Sequence, residues 1–476
     1  MYTYQDLERW RENNAPEIQI MQFVRDVISQ HKNSELYQDG ETSYQYSIQQ
    51  NVEAVKREKL YRDIAGQLRI NNWTPCHRTR TNIFNVLAVQ LNSYLLGNGM
   101  TLTNTANKDK LGEDFDAVLN AAGYKAITKQ VSYLFWNLDH AEVFDNLEFA
   151  PLYDEATAAL RSGVRWWQID NDKPLRATLY EEDGFTEYVW YLDENGEINT
   201  EGQILQEKRA YQINIQVSEA EGTQIVNGQN YPAFPIVPLW YNSAHINQFS
   251  GIKETIDAID ELSNALLDDL TETQLFWLIQ GADGMDNTEL QQFMQELRTN
   301  KVINPMDGQS VQPYTVNIPY VERQSELARL RKQVYEDWQG LDIDEIKGGA
   351  VTATQIRAAF EPLNHKADDY EMCLNDCLSR LFVVVGIEKE KPTFNRSILI
   401  NQSETIQDVL MAKDVLSREY VIKKILTVLG DGDEADKMIE EKEKEEQAQY
   451  AAILEQQAQM NYQQKENEQN EETKVV

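Results

Sequence analysis

Cysteine is scarce: three in 476 residues cannot build a disulfide framework, and synthesis in a reducing, intracellular setting is expected. Positive charge is also short, with 44 Lys and Arg against 78 Asp and Glu, a formal net charge of −34. A surface of that sign does not as a whole attract nucleic-acid phosphate or anionic lipid. No apolar run approaches the roughly 18 residues a membrane-spanning helix needs. The longest runs only from Leu381 to Ile387. The opening MYTYQDLERWREN is polar and charged, unlike a signal peptide. Phosphate-binding loops, dinucleotide fingerprints, H-E-x-x-H and the nucleophile elbow are all missing. His31, His77, His140, His245 and His365 lie far apart without ligand spacing. Cys373 and Cys377 share a helical face but lack the second pair that zinc requires, so they read as small buried hydrophobes. Cys76 beside His77 has no third group in view.

What is present is ordinary apolar content, enough for roughly two to four domains at about 100–200 residues each. Ile20, Met21, Val24, Val27 and Ile28 define an amphipathic helix, broken by the Gly- and Ser-containing stretch Tyr37 to Ser47. A charged helix is expected from Val52 to Asp63, then a loop at Asn71–Pro75. A buried helix follows from Asn82 to Leu96, closed by Gly97. Residues 112–140 also read as helical.

From Ala141 to Tyr231 short alternating segments rich in Trp and Tyr, separated by turns such as Asp183-Gly184 and Asn195-Gly196, predict an antiparallel sheet. Tyr231 to Pro238 reads as extended chain. Gly251 to Leu278 then predicts a long helix with Ile252, Ile256, Ile259, Leu262, Leu266 and Leu270 on its apolar face. A compact insert follows, Gly281 to Pro319, with a helix over Asn287–Arg298 and strands at Lys301–Ile303 and Val311–Ile318. A second helix spans Glu322 to Gln339, and a Gly-containing loop leads to a third from about Ala353 to Val385, with Pro362 inside it as a source of kinking. Residues 401–425 read as helical, and the acidic, Gln-rich end as helix giving way to disorder.

Several local texts occur in a telling order. Arg69 to Trp73 leads into a helix ending Tyr94-Leu95-Leu96-Gly97. Pro235 to Leu239 precedes the helix that carries Asp257 to Asp269. Val351-Thr352-Ala353-Thr354-Gln355-Ile356 opens the third long helix, with Gln355 where a Glu is usual, and Phe394-Asn395-Arg396 and Ser403-Glu404 follow. In this order and spacing, over roughly residues 37–440, the chain resembles the portal proteins of tailed double-stranded-DNA bacteriophages, and most of all those of long-tailed phages of Gram-positive hosts.

The resemblance implies an α+β portal fold, mainly helical with an antiparallel β region, assembled as a ring. It implies a wing over residues 1–240, a first stem helix over 241–280, a clip over 281–320 and a second stem helix over 321–339. A tunnel loop would span 340–352, a kinked wing helix 353–390, a crown 391–450 and a disordered tail 451–476. It implies a structural conduit with no cofactor, no metal and no catalysis of its own, a homododecamer at one capsid vertex of the virion, assembled in the host cytoplasm. Its partners would be the large terminase, a head–tail adaptor, the capsid and scaffolding proteins, and double-stranded DNA passing through.

Asp342, Asp344, Glu345, Lys347, Gly348, Gly349 and Thr352 would line the channel as the tunnel loop. Lys253, Asp257, Asp260 and Asp268 on the first stem helix would face Arg323, Arg329, Arg331 and Lys332 on the second, side by side in the ring. Phe293, Met294, Pro305, Met306 and Tyr314 would give the clip its partner surface. The rival reading from the residues is a metal-dependent nucleic-acid-processing enzyme, whose acids would have to converge on a metal ion.

Overall fold

A computed structural model describes residues 2–51, 53, 56–62, 66–71, 74–218, 222–271, 275–280, 288, 310–315, 319–346, 353–387, 389–396, 409–412, 416–429, 437–442 and 444. The chain divides into two compact units, one of residues 1–349 and 359–397 and one of 350–358 and 398–476. In the second, the helix Arg418–Leu429 is described.

The first unit opens with three helices, α1 (Tyr4–Glu12), α2 (Glu17–Lys32) and α3 (Glu35–Ser47). The expected break at Tyr37–Ser47 is instead the helix α3. Ser34 caps it by accepting from the Tyr37 N–H. Gly40 is there for packing: a Cβ would lie 2.6 Å from Asn146 Nδ2 and 3.0 Å from the Lys129 carbonyl. The charged segment after it departs from the helical expectation only at its end, since Glu53 and Lys56 are helical. Residues Leu60–Arg62 form strand β1, paired antiparallel with β2 (Leu68–Ile70).

The apolar segment α4 (Ile83–Leu96) is the buried helix its sequence requires. Gly97 caps it in a right-handed conformation, while the left-handed turn falls on Gly99, at φ +68°. After β3 (Met100–Thr101) and the short α5 (Thr105–Asp109) comes α6 (Phe115–Lys129). It ends eleven residues before the helical reading did, because Val131–Asn137 is a fully paired central strand, β4.

The β region is antiparallel throughout. Strand β4 lies between β5 (His140–Asp145) and β13 (Ile236–Trp240). Strands β6 (Phe149–Tyr153), β7 (Leu160–Trp167), β8 (Leu175–Glu181), β9 (Gly184–Trp190) and β10 (Gln203–Arg209) form a meander in sequence order. Strands β11 (Gln212–Ser218) and β12 (Gly222–Gln229) make a separate hairpin. Leu7, Val24, Val27 and Ile28 of the first two helices bury themselves against Val164, Trp166, Tyr188 and Trp190 of the meander.

Beyond the sheets run α7 (Ser250–Thr271), β14 (Leu275–Gln280), β15 (Ser310–Thr315), α8 (Tyr320–Trp338), the turn α9 (Ile343–Ile346) and α10 (Ala353–Val385). The first long helix is thus shorter than its periodicity suggested. Its expected last turn, ending at Leu278, falls within strand Leu275–Gln280, which pairs with Ser310–Thr315 as a ribbon. The third runs unbroken through Pro362. Phe394, in a last two-residue strand (Thr393–Phe394), pairs with Met100 of β3. The expected helix over 287–298 and strand over 301–303 lie outside the described residues, apart from Thr288.

Candidate functional site: a paired-helix shaft and its anchors

Helices α7 and α8, of 22 and 19 residues, span about 33 and 28 Å at 1.5 Å per residue. They run antiparallel. At one end Arg323, near the start of α8, forms an ion pair with Asp269, near the end of α7. At the other end Phe249, just before α7, packs on Phe84, and Phe84 packs edge-on to Trp338, the last residue of α8.

The buried face of α7 changes character along its length. Its first half buries Ile252, Ile256 and Ile259. Its second half buries Asp260, Asn264 and Asp268, whereas Leu270, expected on the apolar face, is 60% exposed. The reason is what each half rests on. The first half meets the core; the second lies against an extended backbone, residues 77–81. Asp260 Oδ1 accepts from the Thr81 N–H at 2.9 Å, Asn264 Oδ1 from the Thr79 N–H at 2.8 Å, and Asp268 Oδ1 from the His77 N–H at 2.8 Å. Asn264 Nδ2 also donates to the Thr79 carbonyl at 2.9 Å.

The spacing explains the match. Four helical residues rise about 6.0 Å, and two extended residues advance about 6.6 Å. Side chains at i, i+4 and i+8 can therefore meet every second backbone amide of a strand running the opposite way. The three polar side chains stand in for a partner strand.

Charges close the ladder. Asp268 is 2.7 Å from Arg57, 3.5 Å from Lys59 and 2.7 Å from His77 Nδ1. Burial alone would raise its pKa, but the His77 bonds and the two cations outweigh that and hold it below the usual carboxylate range. Asp260 lacks a cation and its pKa is raised by burial, despite bonds from Thr81 and from Asn51 Nδ2 at 2.8 Å. Asp257 accepts from the Tyr46 hydroxyl and pairs with Lys253 at 2.7 Å.

These partners all belong to the same chain. Asp257, Asp260 and Asp268, expected to face bases of the second helix across the ring, each hold bonds within the chain. Arg323 meets Asp269 of its own chain. On the outer face of α8, Arg329 pairs with Glu326 at 2.6 Å, Lys332 lies 3.7 Å from Glu336, and Arg331 lies 3.9 Å from Asp344. The exposed bases of this helix thus have acids one turn away or on the following segment.

The far end of α8 is fastened to the body. Lys366 of α10 donates to the Trp338 carbonyl at 2.8 Å, and its ammonium sits 3.5 Å from the indole centroid. Burial lowers the Lys366 pKa from 10.5 to about 7, with Asp369 opposing. Gln90 of α4 holds both polar groups of the Leu341 backbone, accepting its N–H at 2.8 Å and donating to its carbonyl at 2.9 Å. The segment leaving the shaft therefore begins from a fixed point.

Of the expected tunnel-loop residues, Asp342 accepts from the Asp344 N–H at 3.0 Å, and Glu345 lies in the turn α9. Lys347, Gly348, Gly349 and Thr352 lie outside the described residues. So do Phe293, Met294, Pro305 and Met306 of the expected clip; Tyr314 sits in β15 opposite Phe276. Asn264, His77, Thr79, Gln90 and Lys366 were missed. Only the i, i+4, i+8 polar triplet inside a helix was visible as a signal, and its strand partner lies about 190 residues earlier. Cys377 is buried, and that burial pushes its thiol pKa up. Among the described residues no group of three His, Cys, Asp or Glu side chains could hold a metal ion, and no helix is long and apolar enough to cross a membrane. Among the described residues the enzyme reading has no observation in its favour.

The class follows from comparison with known proteins. The model of the phage portal protein family described as SPP1 Gp6-like matches residues 26–448, and the chain belongs to that family. The portal protein of Bacillus phage SPP1 is 23% identical over 411 residues, covering 79% of this chain and 78% of that one. The portal protein of Clostridium phage phiCD119 is 20% identical over 224 residues, 45% of this chain and 49% of that one. Among solved structures, a chain in the neck of a native gene transfer agent particle, computed with C12 symmetry, is 11% identical with a TM-score of 0.38, covering 71% of this chain and 87% of that one. An HK97-family phage portal protein from Corynebacterium diphtheriae is 10% identical with a TM-score of 0.27, covering 45% and 72%.

Proposed function

We propose that this phage portal protein assembles as a homododecameric ring at one vertex of the virion capsid, and that the viral genome enters and leaves through its central channel. The observation that carries the reading is the family match over residues 26–448, which takes in the sheets, both shaft helices, the insert and the third long helix. In this reading residues 1–240 and 353–390 form the wing, α7 and α8 the stem, residues 281–320 the clip, 340–352 the tunnel loop and 391–450 the crown. The clip would meet the large terminase during packaging and the head–tail adaptor afterwards, with ATP hydrolysis left to the terminase and none assigned to this chain. The capsid and scaffolding proteins would recruit the ring during assembly in the host cytoplasm.

The physics of the shaft supports such a conduit. A polyanion slides without sticking where few cations neutralise its phosphates, since each one neutralised releases counterions and adds affinity. Here the exposed bases of α8 have acids nearby, and the whole chain carries a net charge of −34. A ladder and two anchors hold the shaft and the start of the loop while DNA moves past.

Negative-stain electron microscopy of the purified full chain, with native mass measured in parallel, tests the reading. Rings with a central hole and a mass near twelve subunits are expected. A chain that remains a monomer or dimer at every concentration would overturn it, and Mg²⁺-dependent cleavage of DNA would then favour the enzyme reading.

A further inference from the structure

Positive charge is concentrated in one place. Residues 56–80 carry seven bases, Lys56, Arg57, Lys59, Arg62, Arg69, Arg78 and Arg80, against two acids, in a chain whose acids otherwise outnumber its bases heavily. This stretch contains the β1–β2 ribbon. Leu60 stands opposite Ile70, and Leu68 follows two residues along, so the three share one face. They are 53%, 52% and 60% exposed. An isolated two-stranded ribbon is marginal in water, and three aliphatic side chains together on its open face ask for a cover.

The root of the ribbon has a defined height. Arg57 and Lys59 both reach Asp268, near the C-terminal end of α7. At that same end of the shaft lie Leu270 (60% exposed), Val321 (73%) and Tyr320 (45%), beside Glu322. One chain thus carries an apolar ribbon within a basic stretch of sequence and, at the same level, a second apolar patch with Glu322 beside it. The two patches differ, so copies that join them meet head to tail, and a head-to-tail contact that closes makes a ring. Rotation about an axis along the shaft keeps heights unchanged.

We infer that the β1–β2 ribbon of one subunit docks on the α7–α8 shaft end of the next, with Leu60, Leu68 and Ile70 covering Leu270 and Val321. The inference rests on the ring reading and names one contact that closes the ring.

The test uses the full chain and three variants, Leu68→Asp, Val321→Asp and the double variant Leu68→Asp/Val321→Lys, with assembly followed by native mass spectrometry and sedimentation. Each single variant should raise the concentration for half-assembly at least tenfold while leaving the subunit's thermal melt unchanged, and the double variant should recover most of the loss. Should Leu68→Asp disturb folding, Leu68→Ser carries the same expectation. A wild type that stays monomeric overturns the ring reading and the contact with it. A wild-type ring accompanied by unaffected single variants, or by a double variant no better than either, overturns the contact alone. So does a Leu68→Asp ring of normal stability that has lost binding to double-stranded DNA, which would assign the ribbon to nucleic acid.

Discussion

Replacing Asn264 with Leu removes the middle rung of the α7 ladder without changing side-chain size much. Three bonds disappear: those accepted from the Thr79 N–H and the Thr79 hydroxyl, and the one donated to the Thr79 carbonyl. A hydrogen bond contributes roughly 0.5–1.5 kcal/mol net, and a buried group left unpaired costs about 1–3 kcal/mol. Thr79 is partly exposed and can regain water, so the loss is set near the lower sums, about 2–3 kcal/mol. That loss opens the 77–81 segment locally and leaves α7 in place, because Ile252, Ile256 and Ile259 still hold the helix. Hydrogen exchange read by mass spectrometry should show peptides over 76–82 exchanging roughly 30- to 150-fold faster, at about 1.4 kcal/mol per tenfold. Peptides over 252–260 should be unchanged. Asn264→Asp keeps the acceptor but faces the Thr79 carbonyl with a second oxygen, so it should fall between wild type and Leu. Equal protection of 76–82 in wild type and Asn264→Leu would refute the ladder. Loss of protection across the whole of α7 would show that the helix and the strap form one cooperative unit, against the division of roles argued above.

Lys366 gives a pH dependence of definite sign. Its folded pKa is lowered to about 7, so between pH 7 and 10.5 the unfolded chain binds more protons, and stability rises with pH across that window by up to about 1.4 kcal/mol per unit. Lys366→Met should flatten this part of a melting-temperature profile, and parallel profiles for wild type and variant would refute the assignment. Gln90→Leu frees both polar groups of the Leu341 backbone. Exchange at Leu341 should quicken about tenfold and proteolysis at 340–346 should increase, with α4 unaffected; unchanged cleavage would mean that Trp338 alone fixes the start of the loop.

Periodicity and propensity suffice wherever one face of an element meets apolar neighbours. This is why α4, the meander strands and the first half of α7 were legible from residues alone. They fail where an element is recruited by something distant. Tyr37–Ser47 looks like a break because Gly40 and three Ser or Thr residues weaken a helix, yet packing against Asn146 and Lys129 requires the small residue there. Val131–Asn137 continues the apolar texture of α6, and only pairing with β5 and β13 makes it a strand.

The candidate site divides the same way. Its long helices could be placed in advance, and so could the resemblance carried by the order of segments. The amino-acid sequence by itself determined composition, the strong acidity, the helix–insert–helix order and the family. Which acids face outward was decided only by the tertiary structure. A carboxylate on a helix reads alike whether it meets water or a backbone amide some 180–190 residues earlier in the chain, and Asp260, Asn264 and Asp268 meet the latter.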